Sequence, residues 1–224
     1  MRRSTGCSRF SSSFLAILFV VAACTAPGSS SYTSGGNMQS GQSAQDQIAH
    51  GRFVVISHAC GGCHGGADGN PGAFGWLDGM RDTLIGQFQI GPFKTRAKNL
   101  TPDNATGTGR FTERQIFNSL RYGLRPEETA DVDITSTVPG QGNFPLHPHY
   151  LAIPMPWPSW RHMPDQDLWA IAAYLKRGLK PVNHKVQDSD GPPDFWASEY
   201  TVEKIGPYPA LQYPTVNEKG GPAK

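Results

Sequence analysis

The chain has 224 residues, enough for one globular domain with tails. Only 38% of the residues are apolar, while 26 Gly and 19 Pro demand long loops, so a small core with few helices is expected. A formal charge of +2 without any basic stripe excludes a nucleic-acid surface, and it leaves the sign of a protein partner's surface open.

Residues 1–23 read as an export leader. Arg2, Arg3 and Arg9 precede an apolar run from Phe14 to Ala23, which is too short for a transmembrane helix of about 20 residues. The run ends in Val21-Ala22-Ala23-Cys24, which resembles the bacterial lipoprotein box. That resemblance implies that Cys24 becomes the mature N-terminus and carries lipid, anchoring the chain on the periplasmic side of a bacterial membrane. Thr25, not Asp, follows the cysteine, which favours the outer membrane in a Gram-negative host. The rival reading is an ordinary cleavage site with a chance cysteine. Residues 24–43 are polar and small and suit a flexible tether with an r.m.s. reach of ~25 Å.

The domain proper is expected over residues 44–182. A helical pattern over 44–58, with Ile48 and Phe53-Val54-Val55-Ile56, leads into Cys60-Gly61-Gly62-Cys63-His64. The chain has four cysteines; Cys7 falls in the leader and Cys24 at the lipid site, so this pair stands alone. A thioredoxin-like dithiol would want a strand before it and a βαβ pattern. A structural zinc site needs a fourth ligand, for which only His147-Pro148-His149 offers itself. A disulfide across two residues would be strained and would leave His64 unexplained. Covalent attachment of one haem c explains all three residues. Two thiols one helical turn apart can form thioethers with two vinyl groups, Gly61 and Gly62 leave room for the ring edge, and His64 binds the iron. The second His64 nitrogen should donate to a backbone carbonyl, with Pro71 as the candidate.

Further along, Arg96 and Asn99 are candidates to reach a haem propionate. A second helix is expected over 112–122, opened by a Thr112/Gln115 capping box and closed by Gly123. The segment 124–150 is long and rich in Pro and His. Met155 and Met163 are candidates for the sixth iron position, with His147, His149, His162 and His184 behind them. A thioether there raises the potential and closes the iron, which suits electron transfer. Met155 sits among Pro154, Pro156 and Pro158, which stiffen a loop that has no helix to hold it. Tyr150, Trp157 and Trp160 either line the crevice or pack behind it; His58 and His162 read as surface or loop residues. A third helix is expected over 164–177, started by Pro164 and stopped by Gly178, with Asp165 and Asp167 at its positive end. The tail 183–224 carries Trp196, Tyr200, Tyr208 and Tyr213, too aromatic for pure disorder, and should wrap the domain or dock on a partner.

Four stretches resemble class I cytochromes c, in particular the c-type cytochrome domains and subunits associated with bacterial alcohol, aldehyde and sugar-acid dehydrogenases. They are Gly51-Arg52-Phe53-Val54 through Cys60–His64; Asn99-Leu100-Thr101-Pro102-Asp103 through Phe111-Thr112; Ile116 through Gly123; and Met155-Pro156-Trp157 followed by Met163 to Lys176. The resemblance implies a mainly α cytochrome c fold, three or more helices with long loops wrapped around one covalent haem. It also implies that the first and last helices cross, with Ile48, Phe53 and Tyr174 as crossing candidates. The family's methionine lies nine or ten residues before the acidic start of the last helix. Met155 precedes Asp165 by ten, which favours it over Met163. Arg110, the segment 124–150 and the tail depart from the family pattern.

The expected function is electron transfer between redox partner proteins. The donor would be a dehydrogenase, and the acceptor an oxidase or another cytochrome. The alternative is a haem protein with an open sixth site, peroxidase-like or gas-sensing. The chain shows no nucleophile–base constellation and no phosphate loop, so no enzymatic activity of its own is expected, and no nucleic-acid partner.

Overall fold

The computed structural model describes residues 43–66, 69–81, 86–190 and 194–205. The leader, Cys24, the tether up to residue 42 and the tail beyond 205, with Tyr208 and Tyr213, lie outside the described residues.

Helix α1 (Ala44–Ser57) opens on a capping box in which Ser43 and Asp46 satisfy each other's backbone N–H groups. It ends where Ala59 takes a left-handed conformation, φ 53°. That break turns the chain so that Cys60–His64 starts afresh as the short helix α2. Helix α3 (Glu113–Tyr122) has the expected Thr112/Gln115 capping box and closes on Gly123 at φ 71°. A single turn, α4 (Trp157–Trp160), precedes α5 (Asp165–Ala173), which continues as a π-helical turn over Tyr174–Gly178. The chain described ends with a 3-10 turn over Asp194–Glu199 and α6 (Val202–Ile205).

The α1 and α5 helices pack across each other at Gly51, where any Cβ would run into the Ala170 carbonyl. His50 Nε2 meets Asp167 Oδ1 at 2.7 Å beside the crossing. Val54, Val55, Leu168, Ile171, Ala172 and Tyr174 fill the core there, and Ile48 packs against it. Phe53 does not join them: it is 66% exposed, which corrects its expected place in the crossing. Phe53 lies two residues from Gly51, about 200° round the helix, so the two cannot share a face. Helix α3 packs on α5 through Phe117 and Trp169, stacked at 4.5 Å.

One element was not foreseen. Strands β1 (Gln87–Ile90) and β2 (Phe93–Arg96) form an antiparallel hairpin with Gln87 opposite Arg96 and Ile90 opposite Phe93. The architecture is therefore helical with a small sheet. The described part of the tail lies on the domain. The Asp190 N–H donates to the Lys94 carbonyl at 2.9 Å, Trp196 is buried, and Tyr200 sits edge-on to Trp157 at 4.8 Å. Among the described residues no helix is long and apolar enough to cross a membrane.

Candidate cofactor site

A mainly apolar cavity of about 650 Å³ is bounded by α2, the segment 95–111 that leaves β2, α3, the Met155 loop and α5. That volume falls in the range of small-molecule and cofactor pockets, ~300–1,000 Å³. Cys60, Cys63 and His64 form one part of its wall; Leu100, Phe111, Leu120, Ile171 and Leu175 supply much of the rest.

Both cysteines are free thiols one helical turn apart. Burial pushes the Cys60 thiol up to about 12, and the neighbouring Cys63 adds to the effect. The two intervening glycines differ in role. Gly62 faces open space, whereas Gly61 is buried against the Trp76 indole and has no room for a Cβ. Gly61 is thus needed for Trp76 and not for a ring edge, which corrects one half of the sequence expectation.

His64 Nδ1 lies 2.7 Å from the Lys98 carbonyl. Burial lowers the His64 pKa and the Lys98 carbonyl opposes the shift, so the imidazole is neutral, with Nδ1–H donating and Nε2 keeping its lone pair. The acceptor is therefore Lys98 and not Pro71, which lines a separate groove with Arg52 and Tyr174. The reason is the loop after α2. Gly79 N–H donates to the His64 carbonyl at 2.7 Å and Leu77 N–H to that of Gly65 at 2.9 Å; Leu100 N–H then donates to the Leu77 carbonyl at 2.8 Å. This ladder brings residues 98–100 alongside His64.

Met155 and Met163 both line the cavity. Met155 sits in a tight turn, its N–H donating to the Ala152 carbonyl at 2.9 Å and its carbonyl accepting from Trp157 N–H at 2.8 Å. Trp157 is fully buried and lies parallel to Tyr150 at 5.9 Å, so it pins the turn from behind. Only Trp160 of the three expected aromatics reaches the cavity wall. The Met163 carbonyl is held by Arg121 Nη2 at 2.8 Å, and the same guanidinium binds the Arg161 carbonyl and Asp165. Among the described residues lining the cavity, His147, His149, His162 and His184 do not occur. His149 instead meets Glu128 at 3.0 Å, and His184 Nδ1 meets the Asp78 carbonyl at 2.8 Å.

His58, read from sequence as a surface or loop residue, is exposed but also stands on the cavity rim, with Nδ1 2.9 Å from the Val54 carbonyl. Arg96 and Asn99, the candidate propionate partners, both line the cavity. The Asn99 amide, however, is committed to the Thr106 hydroxyl and to the carbonyls of Val182 and His184. Arg96 is buried and held by the Asp188 carbonyl at 2.6 Å and Asp190 at 3.2 Å.

Two free thiols, a neutral imidazole with one nitrogen already bonded, two thioethers and an apolar wall fit a haem. They do not fit zinc: among the described residues no group of three or more His, Cys, Asp or Glu side chains has the arrangement to hold a metal ion, and a structural zinc site takes four such ligands.

Comparison with known proteins places the chain among cytochrome subunits. The chain is 26% identical over 145 residues to the gluconate 2-dehydrogenase cytochrome c subunit of Pantoea cypripedii, covering 65% of this chain and 26% of that one. It is 25% identical over 138 residues to the fructose dehydrogenase cytochrome subunit of Gluconobacter japonicus, covering 61% and 22%. It is 27% identical over 135 residues to the alcohol dehydrogenase (quinone) cytochrome c subunit of Gluconacetobacter polyoxogenes, covering 60% and 22%. No family model matches the chain. Its homologues are thus cytochrome c subunits of gluconate, fructose and alcohol dehydrogenases, the group its motifs resemble. The chain spans about a quarter of the length of these curated relatives.

Proposed function

We propose that this protein is an electron carrier with a cytochrome c fold and one covalent haem c. Cys60 and Cys63 hold the haem as thioethers, His64 is the proximal iron ligand and Met155 the distal one. The observation that carries the reading is a single apolar cavity that gathers Cys60, Cys63, His64 and Met155 from distant parts of the chain. When bound, the haem supplies reversible one-electron chemistry at its iron. The residues of this chain do the rest. The Lys98 carbonyl fixes the His64 tautomer, the apolar wall keeps water from the ring, and the pinned Met155 turn presents a thioether without rearrangement. The chain has no substrate chemistry in this reading. It takes electrons from a dehydrogenase and gives them to an oxidase or another cytochrome, on the periplasmic side of a bacterial membrane, with lipid on Cys24 as the anchor.

Expression of the full chain in a host with a c-haem maturation system tests this reading. Haem that stays with the polypeptide on a denaturing gel, and is lost when both Cys60 and Cys63 are changed to Ala, is the expected result. A colourless exported protein would end the proposal. Lipid labelling of the wild type, absent in Cys24→Ser, tests the anchor separately.

A further inference from the structure

The segment 182–190 packs against the residues that carry, or adjoin, the two backbone groups supporting His64. The first support is the Lys98 carbonyl, which accepts from His64 Nδ1. The neighbouring Asn99 is 3% exposed and all its polar capacity is used. Its amide donates to the Val182 carbonyl at 2.8 Å, with the His184 carbonyl at 3.3 Å and the Thr106 hydroxyl at 3.0 Å. Its carbonyl oxygen accepts from the Thr101 N–H at 2.8 Å and from the Thr101 hydroxyl at 2.7 Å. The Thr101 hydroxyl in turn accepts from the Val182 N–H at 3.1 Å, so the segment is gripped from both sides. The Lys98 ammonium adds an exposed tie to the Gln187 carbonyl at 3.2 Å and to Asp188 at 3.0 Å.

The second support is the carbonyl of His64 itself, which accepts from Gly79 N–H. Here too the segment bears on it. His184 Nδ1 meets the Asp78 carbonyl at 2.8 Å, and the buried Val186 fills the space beside Gly79 so closely that residue 79 cannot carry a side chain.

We propose that residues 182–190 act as a proximal strap and that Asn99 is a positioning residue, holding the Lys98 carbonyl on His64 and so setting the basicity of the proximal ligand. The inference rests on the haem reading above. A firm Nδ1–H···O bond gives the imidazole anionic character, which favours the oxidised iron and lowers the potential. Loosening Asn99 loosens that bond, so the potential rises.

The test uses the full-length holoprotein, with Asn99→Ala and the uncharged, near-isosteric Thr101→Val as independent variants. Reduction potential and the NMR hyperfine shifts of the haem methyl groups are measured beside thermal stability. The expected result is a higher potential and an altered methyl-shift pattern in both variants relative to wild type. Arg177→Ala, which removes an exposed pair with Glu113 remote from the strap, should leave both unchanged. If Asn99→Ala does not accumulate, Thr101→Val alone decides. Variants that lose thermal stability but keep the wild-type potential and methyl shifts would overturn the strap and leave the haem reading intact. A wild-type protein without haem would overturn both.

Discussion

Gly123 and Trp157 are fitted to each other: a Cβ on residue 123 would clash with the indole ring at Cε2. Gly123 also has φ 71°, a left-handed conformation that costs other residues ~1–2 kcal/mol. The same indole pins the Met155 turn, so a helix stop and a ligand loop depend on one contact. Gly123→Ala should destabilise the protein by ~2–4 kcal/mol, measured by urea unfolding. It should also weaken the far-red methionine–iron absorption band of the oxidised haem. An intact band in a destabilised variant would separate the two effects.

The two methionines on the cavity wall can be told apart by ligation. Met155→Leu should abolish the far-red band and let carbon monoxide bind the reduced iron. Met163→Leu, a volume-conserving change, should keep the band and cost under ~1.5 kcal/mol. The reverse pattern would transfer the ligand to Met163, and a wild type that already binds carbon monoxide would favour an open sixth site.

Arg121 is 7% exposed, and its guanidinium satisfies the carbonyls of Arg161 and Met163. Arg121→Met would leave these acceptors without their donor while keeping the apolar stem. The expected loss is ~2–4 kcal/mol in denaturant unfolding, with Asp165 contributing little because it is mostly exposed.

Asp103 gives a pH prediction. The Thr106 hydroxyl, with the N–H groups of Ala105 and Thr106, holds its carboxyl below the usual 3.8. The unfolded carboxyl therefore binds its proton first as pH falls. The stabilisation is complete well above 3.8 and drains away as pH drops through the lowered folded value. The stability gap between wild type and Asp103→Asn should be constant near neutrality and close at acid pH. A gap that is unchanged under acid conditions would refute the assignment.

Much of the candidate site was legible because the thioether attachment proposed above would fix spacing. Cys60, Cys63 and His64 must share one helical turn whatever surrounds them, and Thr112/Gln115 and Gly123 mark the ends of α3 by local hydrogen bonding alone. The acceptor for His64 was not legible. Lys98 lies 34 residues away and presents a backbone carbonyl, which any residue type could supply. Phe53 misled for a related reason: an unbroken Phe-Val-Val-Ile run hides which side faces the core, and the position of Gly51 settles it. The hairpin was readable in principle, since Gln87-Phe88-Gln89-Ile90 alternates and Gly91-Pro92 turns, but four residues make a weak pattern.

The contact between His50 and Asp167 spans 117 residues, so α1 meets α5 only after most of the chain has been made. Closing so long a loop is slow compared with forming a single helical turn. Cys60, Cys63 and His64 are therefore complete as a local unit well before the Met155 wall arrives. On the haem reading proposed above, attachment would precede closure: the two thiols would be met on an open chain, before the distal half folds down over them.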